Sequence, residues 1–480
     1  MTVHRWPAYR LAVVLLATAS FFGVQAQVAP SATTVTPVAL PTAPATPLTV
    51  EDAVAFALQH NPSITLGVEN VQIAQQQVTV AHAAGLPTVG VNLNGTYTPN
   101  AQGIAFKDIN IPAVTFSSSA QATAAQPIWP PAVWRAPVQV ARAGVGINQQ
   151  NLTRTQQAVA FQTRQAFFQL LSSQELLGVA QYSVTVAEDQ LRLANATFTA
   201  GTAPKLDVLQ AEATRENALV NLARAQNTVD ISRATLATQL GLSAGAPITI
   251  RPPDGLPVAP AQVEPLVTQA YTARPEMQQL NFQRQQIRAN MDLIRLQQEP
   301  TLSVQAAYSK TLIGGSIFGT DGLSLSAVIA MNLFNGGKTR AQLATARIQL
   351  QQVDTTAQQL EVNISLDVRQ SWLNLQNALT QLNSAQKQSV AADEALRIAR
   401  LRYSEGEGIL LEVEQAYLNS TQARTSVSQA RFQAEVAAAQ LELAIGAPPT
   451  AQLPTAPVPA MPALPALPTP ATLAAPPPAG

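Results

Sequence analysis

The sequence predicts a mainly α-helical chain with two β-hairpins, built as two copies of one unit: helices, a β-hairpin, then a long helical hairpin. Three observations predict it. Lys338–Tyr403 contains neither Gly nor Pro, the two strongest helix breakers. Two pairs of segments switch from helical spacing to strict alternation. The breakers themselves recur at constant offsets along the chain.

The long stretch fixes the scale. At ~1.5 Å per residue, roughly 65 helical residues reach about 100 Å. Ala346, Leu350, Val353, Ala357, Leu360 and Ile364 alternate in steps of 4 and 3, the seam of a coiled coil. Val368, Trp372, Leu375, Leu379 and Leu382 continue it after successive steps of four, a stutter that locally unwinds a left-handed supercoil. Gln349, Gln351, Gln352, Gln358 and Gln359 sit beside the apolar positions. A two-stranded zipper prefers larger aliphatic residues at its core. Small and amide residues suit a helix with neighbours on both sides and a wet surface behind.

In chain order, His4, Arg5 and Arg10 precede the apolar run Leu11–Val24, and Val24-Gln25-Ala26 is a small-x-small cleavage site: 1–26 reads as a secretory signal. That run is about 14 residues, short of the ~20 a helical span needs. Residues 27–47 are rich in Pro, Ala and Thr and read as a disordered leader. The first repeat, 48–260, opens with helices over Glu51–Gln59 and Ser63–Ala84, interrupted at Asn61-Pro62. Strands follow at about 88–98 and 113–126, with Pro99–Pro112 as their loop. Long helices are predicted over 134–199 and 204–240, and a Pro-rich connector over Ala246–Pro260. The second repeat, 261–447, has helices at Val263–Ala273 and Glu276–Gln298. Its strands are at about 301–310 and 322–332, and its long helices at 338–403 and 409–445. The remainder, 448–480, is Pro/Ala-rich, uncharged and read as a disordered tail.

The offsets support duplication. Pro62 to Pro275 and Pro87 to Pro300 are each 213 positions; Gly201 to Gly406 and Gly241 to Gly446 are each 205. The change falls between the strands of the hairpin, where loop length varies freely.

Composition excludes several functions. Net charge is +0 with 12% charged residues, so there is no basic field for nucleic acid. Cysteine is absent and the three histidines are scattered, which leaves no metal or thiol chemistry. Gly337-Lys338-Thr339 looks like the end of a P-loop, but Asn332 stands where that motif needs glycine. Adjacent carboxylates such as Glu188-Asp189 diverge by about 100° on a helix and cannot flank one bond. No enzyme activity and no cofactor are expected.

The strands carry the positive inference. Each alternates apolar with small polar residues, as a wall between lipid and water must, and is long enough to cross the apolar band when tilted. Four strands cannot close a pore, and open edges are not tolerated in lipid. Copies must pool their strands: two give eight and three give twelve. Twelve suits a channel, because an eight-stranded interior is filled by side chains.

With the opening Leu48-Thr49-Val50-Glu51-Asp52-Ala53, Asn61-Pro62, the junction Leu333-Phe334-Asn335-Gly336-Gly337, and the turns Phe198-Thr199-Ala200-Gly201 and Tyr403-Ser404-Glu405-Gly406, the chain resembles the TolC family of trimeric outer-membrane efflux proteins over about Leu48–Pro448. The resemblance implies a homotrimer in which a 12-stranded outer-membrane β-barrel continues into a periplasmic α-helical barrel. It implies contact with outer-membrane lipid, docking of a periplasmic adaptor at the turns around Gly201 and Gly406, and an inner-membrane transporter partner. It also implies an iris-like periplasmic gate, carried here by Asp207, Tyr403 and Glu412. Two positions depart: Gly408 stands where a family member carries an arginine, and Gln415 where it carries an acid. Asp207 and Glu412 also lie in first turns of helices, where a carboxylate favours the dipole without any gating role. The rival reading is a periplasmic coiled-coil adaptor or structural rod without membrane strands.

Overall fold

The computed structural model describes residue 41 and residues 46–106, 109–253, 255–313, 321–405 and 407–457, with side chains outside 98–116. The signal sequence, nearly all of the leader, Gly406 and the chain from 458 onward lie outside the described residues.

Helix α1 (Val50–His60) begins in a capping box. The Thr49 hydroxyl accepts from the Asp52 amide at 3.2 Å, and the Asp52 carboxylate accepts from the Thr49 amide at 3.3 Å. Helix α2 (Pro62–Ala83) follows at once, with Asn61 as its N-cap and Pro62 at the first helical position. The first long hairpin is α3 (Ala132–Thr199) and α4 (Lys205–Gln239). In the second half, α5 (Glu264–Ala273) and α6 (Pro275–Leu296) correspond to α1 and α2. The second hairpin is α7 (Lys338–Ser404) and α8 (Leu410–Ala444). No described helix is long and apolar enough to cross a membrane.

The two halves use the same joint. Asn61 Nδ2 donates to the carbonyl of Gln239 at 2.8 Å, and Arg274 Nε donates to that of Ala444 at 2.6 Å. Each side chain satisfies a carbonyl left open at a helix C-terminus. One residue beyond each helix cap stands a left-handed glycine, Gly241 (φ 78°) and Gly446 (φ 70°). A Cβ on Gly241 would lie 2.4 Å from the His60 carbonyl oxygen, and one on Gly446 2.9 Å from the Arg274 amide nitrogen. Above these joints lie the two main cores. Phe167, Leu170, Leu236 and Leu240 are fully buried in the first, Ile364, Val368, Leu375 and Leu441 in the second. On α7 the coiled-coil positions Ala346, Ala357, Ile364, Val368, Leu375 and Leu382 are buried.

The hairpins join in one antiparallel sheet of order β1-β2-β4-β5. It comprises β1 (Thr88–Phe106), β2 (Ile109–Trp129), β4 (Thr301–Ile313) and β5 (Gly322–Ala330). The first hairpin corrects the sequence reading. The expected loop Pro99–Pro112 is largely strand, and pairing continues through Ala101↔Ala113 and Ile104↔Ile111 to Phe106↔Ile109. Pro99 and Pro112, which have no amide hydrogen for the ladder, both fall where the register shifts. Prolines that would end a regular strand are thus accommodated at irregularities. β4 runs three residues past the expected 310, and β5 stops at Ala330 rather than 332.

A second correction concerns the connector and the tail. Gly255–Pro257 (β3) pairs with Thr455–Pro457 (β6), and Val258 donates to the Pro454 carbonyl at 3.0 Å. The Pro/Ala composition of this segment signals no periodic structure, yet its carbonyls remain good acceptors. Residues 448–457 are therefore held on the body of the chain.

Candidate functional site: sheet faces and helix turns

Paired residues of an antiparallel sheet share a face. One face therefore runs Val91–Ala122–Tyr308–Leu323 across all four strands, and beside it Val89–Ala124–Ala306–Leu325. The opposite face runs Asn92–Gln121–Ser309–Gly322 and Gly90–Thr123–Ala307–Ser324. Val89, Leu323 and Leu325 are each 77% exposed in the single chain. In these rows one face is apolar apart from the Tyr308 hydroxyl, with Lys310 on the same face opposite Ala120 near the hairpin end of its strand, and the other carries amides and hydroxyls among glycine and alanine. The order of strands leaves one edge of β1 and one edge of β5 unpaired.

At the other end of the long helices lie the turns. α3 closes through Ala200→Ala196 (3.0 Å) and Thr202→Thr197 (3.0 Å) backbone bonds, with Gly201 left-handed at φ 77°. Nothing lies within 4 Å of a Cβ built on Gly201, so its role is conformational only. Pro204 ends the turn, and Asp207 stands in the first turn of α4. In the second hairpin the amides of Glu407 and Gly408 both donate to the Arg402 carbonyl, at 2.9 and 3.1 Å. Glu412 stands in the first turn of α8.

Two of the three expected gate residues meet. The Tyr403 hydroxyl donates to Asp207 Oδ2 at 3.5 Å, the long end of hydrogen-bond range, and so links the two hairpins. Burial pushes the Tyr403 phenol above its ordinary value, and the Asp207 charge adds to the rise while Thr197 opposes it. The phenol therefore stays a donor throughout the neutral range. Glu412 is not part of that contact. It faces Arg402 at 3.3 Å within its own hairpin, both side chains about half exposed. Such an exposed pair contributes about 0–1 kcal/mol.

Nothing in the sequence marks Arg402 as part of the turn. It precedes the turn, and only the antiparallel return of α8 against α7 brings it near Glu412, so no fixed spacing announces it. The structure also gives a reason for glycine at 408. A Cβ there would lie 3.1 Å from the Tyr403 amide nitrogen and 3.3 Å from the Arg402 carbonyl carbon. The cation sits on the helix end instead. Gln415 bonds Asn419 at 3.2 Å along the α8 surface and takes no part in the contact.

Just above the turns, Val186 of α3 packs with Leu396, Tyr403, Leu410, Val413 and Tyr417 of α7 and α8. Tyr417 donates to the Ser183 carbonyl at 3.3 Å. Asp393 accepts from Ser420 (2.6 Å) and from both ends of the Arg424 fork (3.0 and 2.8 Å), and Arg424 stacks 4.7 Å over the Tyr182 ring. Between the hairpins, then, the Val186 cluster, the Tyr417–Ser183 bond and the Arg424–Tyr182 contact lie above the turns, and the Tyr403–Asp207 bond at them.

The model of the Outer membrane efflux protein family matches residues 54–242 and 266–447. Among curated relatives, the Outer membrane efflux protein BepC of Brucella suis biovar 1 is 25% identical over 271 residues, 55% of this chain and 56% of that one. The Outer membrane protein TolC of Escherichia coli strain K12 is 22% identical over 379 residues, 74% of this chain and 73% of that one. Thus the first match spans little more than half of its relative, the second nearly three quarters. Among solved structures, the outer membrane protein VceC of Vibrio cholerae superposes with a TM-score of 0.68 at 17% identity, covering 83% of this chain and 96% of that one.

Proposed function

The chain belongs to the Outer membrane efflux protein family, and from that membership we propose that three copies form a passive exit duct for a tripartite efflux pump or a type I secretion machine. Members of the family are channels of the outer membrane that extend into the periplasm, and they work as trimers with adaptor and inner-membrane transporter partners. The observation that carries the reading is the sheet: mostly apolar on one face, amide and hydroxyl on the other, with an open edge at each end. Three such sheets of four strands make a closed wall of twelve. An even number of antiparallel strands per copy also makes β5 of one copy antiparallel to β1 of the next. A periplasmic rod has no use for such a sheet.

The turns at Gly201 and Gly406 are then the docking tip for the adaptor, and Asp207 with Tyr403 is one contact holding the tip closed. Glu412, paired with Arg402, braces the second turn. Three-fold symmetry brings three copies of each acid toward one axis, which favours cations at the entrance. The duct carries no energy source of its own, and transport is driven by the inner-membrane partner.

Purified protein in planar bilayers tests both layers of this reading. The unaltered chain is expected to form channels of low conductance. Asp207→Ala combined with Glu412→Ala raises single-channel conductance several-fold, and Tyr403→Phe alone gives a smaller rise. No channel at all refutes the duct. Channels whose conductance ignores all three substitutions keep the duct and remove the gate residues.

A further inference from the structure

Residues 448–457 cross the body of the chain and touch both halves of it. Arg164 on α3 pairs through Nη1 with Glu442 Oε2 on α8, and both side chains are 8% exposed. Arg164 Nη2 also donates to the carbonyls of Pro449 (3.0 Å) and Ala451 (2.7 Å). Glu442 accepts from the Leu453 amide with its other oxygen at 2.6 Å. Gln452 reaches Glu51 on α1 at 2.7 Å. One buried ion pair thus holds the crossing segment from both of its charges.

Beneath the segment lies a cavity of about 50 Å³ lined by Arg164, Glu435, Glu442, Gln452 and Leu453 among others. Glu435, 8% exposed, has its Oε1 buried with no hydrogen-bond partner. The charged groups around it are Arg431 and Glu442 on α8, Arg164 and Glu175 on α3, and Glu51 on α1. Arg431 is shared, since its Nη1 lies 3.0 Å from Glu175. Burial pushes the Glu435 carboxyl up to about 7, with Arg431 pulling down and Glu442 pushing up.

We propose that residues 448–457 are a proton-sensitive latch between the two repeats, fastened while Glu435 carries its proton and opened more often once Glu435 ionises. An ionised Glu435 sets a second anion beside Glu442, the carboxylate that holds both the Leu453 amide and Arg164, whose Nη2 holds the Pro449 and Ala451 carbonyls. Lifting the segment admits water through the cavity to that charge. The sign follows from where the proton binds. The fastened state holds it more tightly, so latch stability falls as pH rises from the ordinary carboxylate value toward about 7 and levels off above. Over pH 6 to 8 the opening equilibrium should rise about tenfold. The latch thereby ties the strength of the joint between α3 and α8 to the acidity of its surroundings.

Hydrogen exchange on detergent-purified full-length protein tests this through the Leu453 amide, with rates normalised for intrinsic exchange. Unaltered protein is expected to lose about tenfold in protection between pH 6 and pH 8. Glu435→Gln and, separately, Glu435→Leu should hold the same protection at both values. Glu442→Gln, which removes the acceptor charge, should lower protection at both. Protection in the unaltered chain that is the same at pH 6 and 8 overturns the proposal. So does an equal fall in both Glu435 variants.

Discussion

Gly241→Ala is expected to destabilise the folded chain by roughly 3–5 kcal/mol, at the far end of what single substitutions do. Two costs add. A side chain in the left-handed region costs about 1–3 kcal/mol by itself. The new Cβ then meets the His60 carbonyl oxygen at 2.4 Å, a backbone atom that cannot swing aside. That carbonyl belongs to the joint where Asn61 caps α2 and binds Gln239, so relief on one side loosens the other. Gly446→Ala, at the equivalent joint, should behave alike but more mildly, since its nearest approach is 2.9 Å. Gly201→Ala is the control: the same left-handed backbone with open space around it. It should cost only about 1–2 kcal/mol. Thermal unfolding of the three variants in detergent measures the order directly. Equal losses at 201 and 241 would mean that the close approach at the joint carries no energy.

Leu325→Arg is expected to cost roughly 2–4 kcal/mol and to deplete assembled protein from the membrane fraction. Leu325 shares its face with Val89, Ala124 and Ala306, and it is 77% exposed in the single chain. In a membrane that exposure is contact with hydrocarbon, where a guanidinium has no partner. Ser324 is one residue away on the polar face, opposite Ala307 and in line with Thr123. Ser324→Arg should assemble normally and alter conductance or ion selectivity instead. Heat-modifiable mobility of membrane extracts reads the first effect and bilayer recording the second. Equal assembly of the two variants would contradict the assignment of the faces.

The contrast between hairpins and joints shows what local sequence carries. The helices are readable because their ends are marked: Gly201, Gly241 and Gly446 are left-handed stops of long helices, and Pro62 and Pro275 are first-turn starts of α2 and α6. The same marks misled in the first hairpin. Pro99 and Pro112 read as a loop, but at a register shift a strand needs no amide from them. Alternation showed which strand residues share a face, while the pairing of β2 with β4, 172 positions apart from Trp129 to Thr301, appears only on folding. Of the turn residues, Asp207 and Tyr403 meet, Glu412 joins Arg402, and no spacing foretold the latter. The pair Arg164–Glu442 bridges α3 and α8 and was invisible for the same reason. Long-range charge pairs leave no period.

If three copies close one wall, β5 of one copy pairs with β1 of the next. The chain has no cysteine of its own, so introduced thiols report without background. Asn92→Cys would be combined in turn with Ser324→Cys, Ser326→Cys and Val328→Cys, which scans the register of the two edges. After mild oxidation in the membrane, at least one combination should yield covalent dimers and trimers on a non-reducing gel, while each single variant gives no covalent trimer. Monomer alone from every combination would mean that the two edges do not meet and that no shared wall forms.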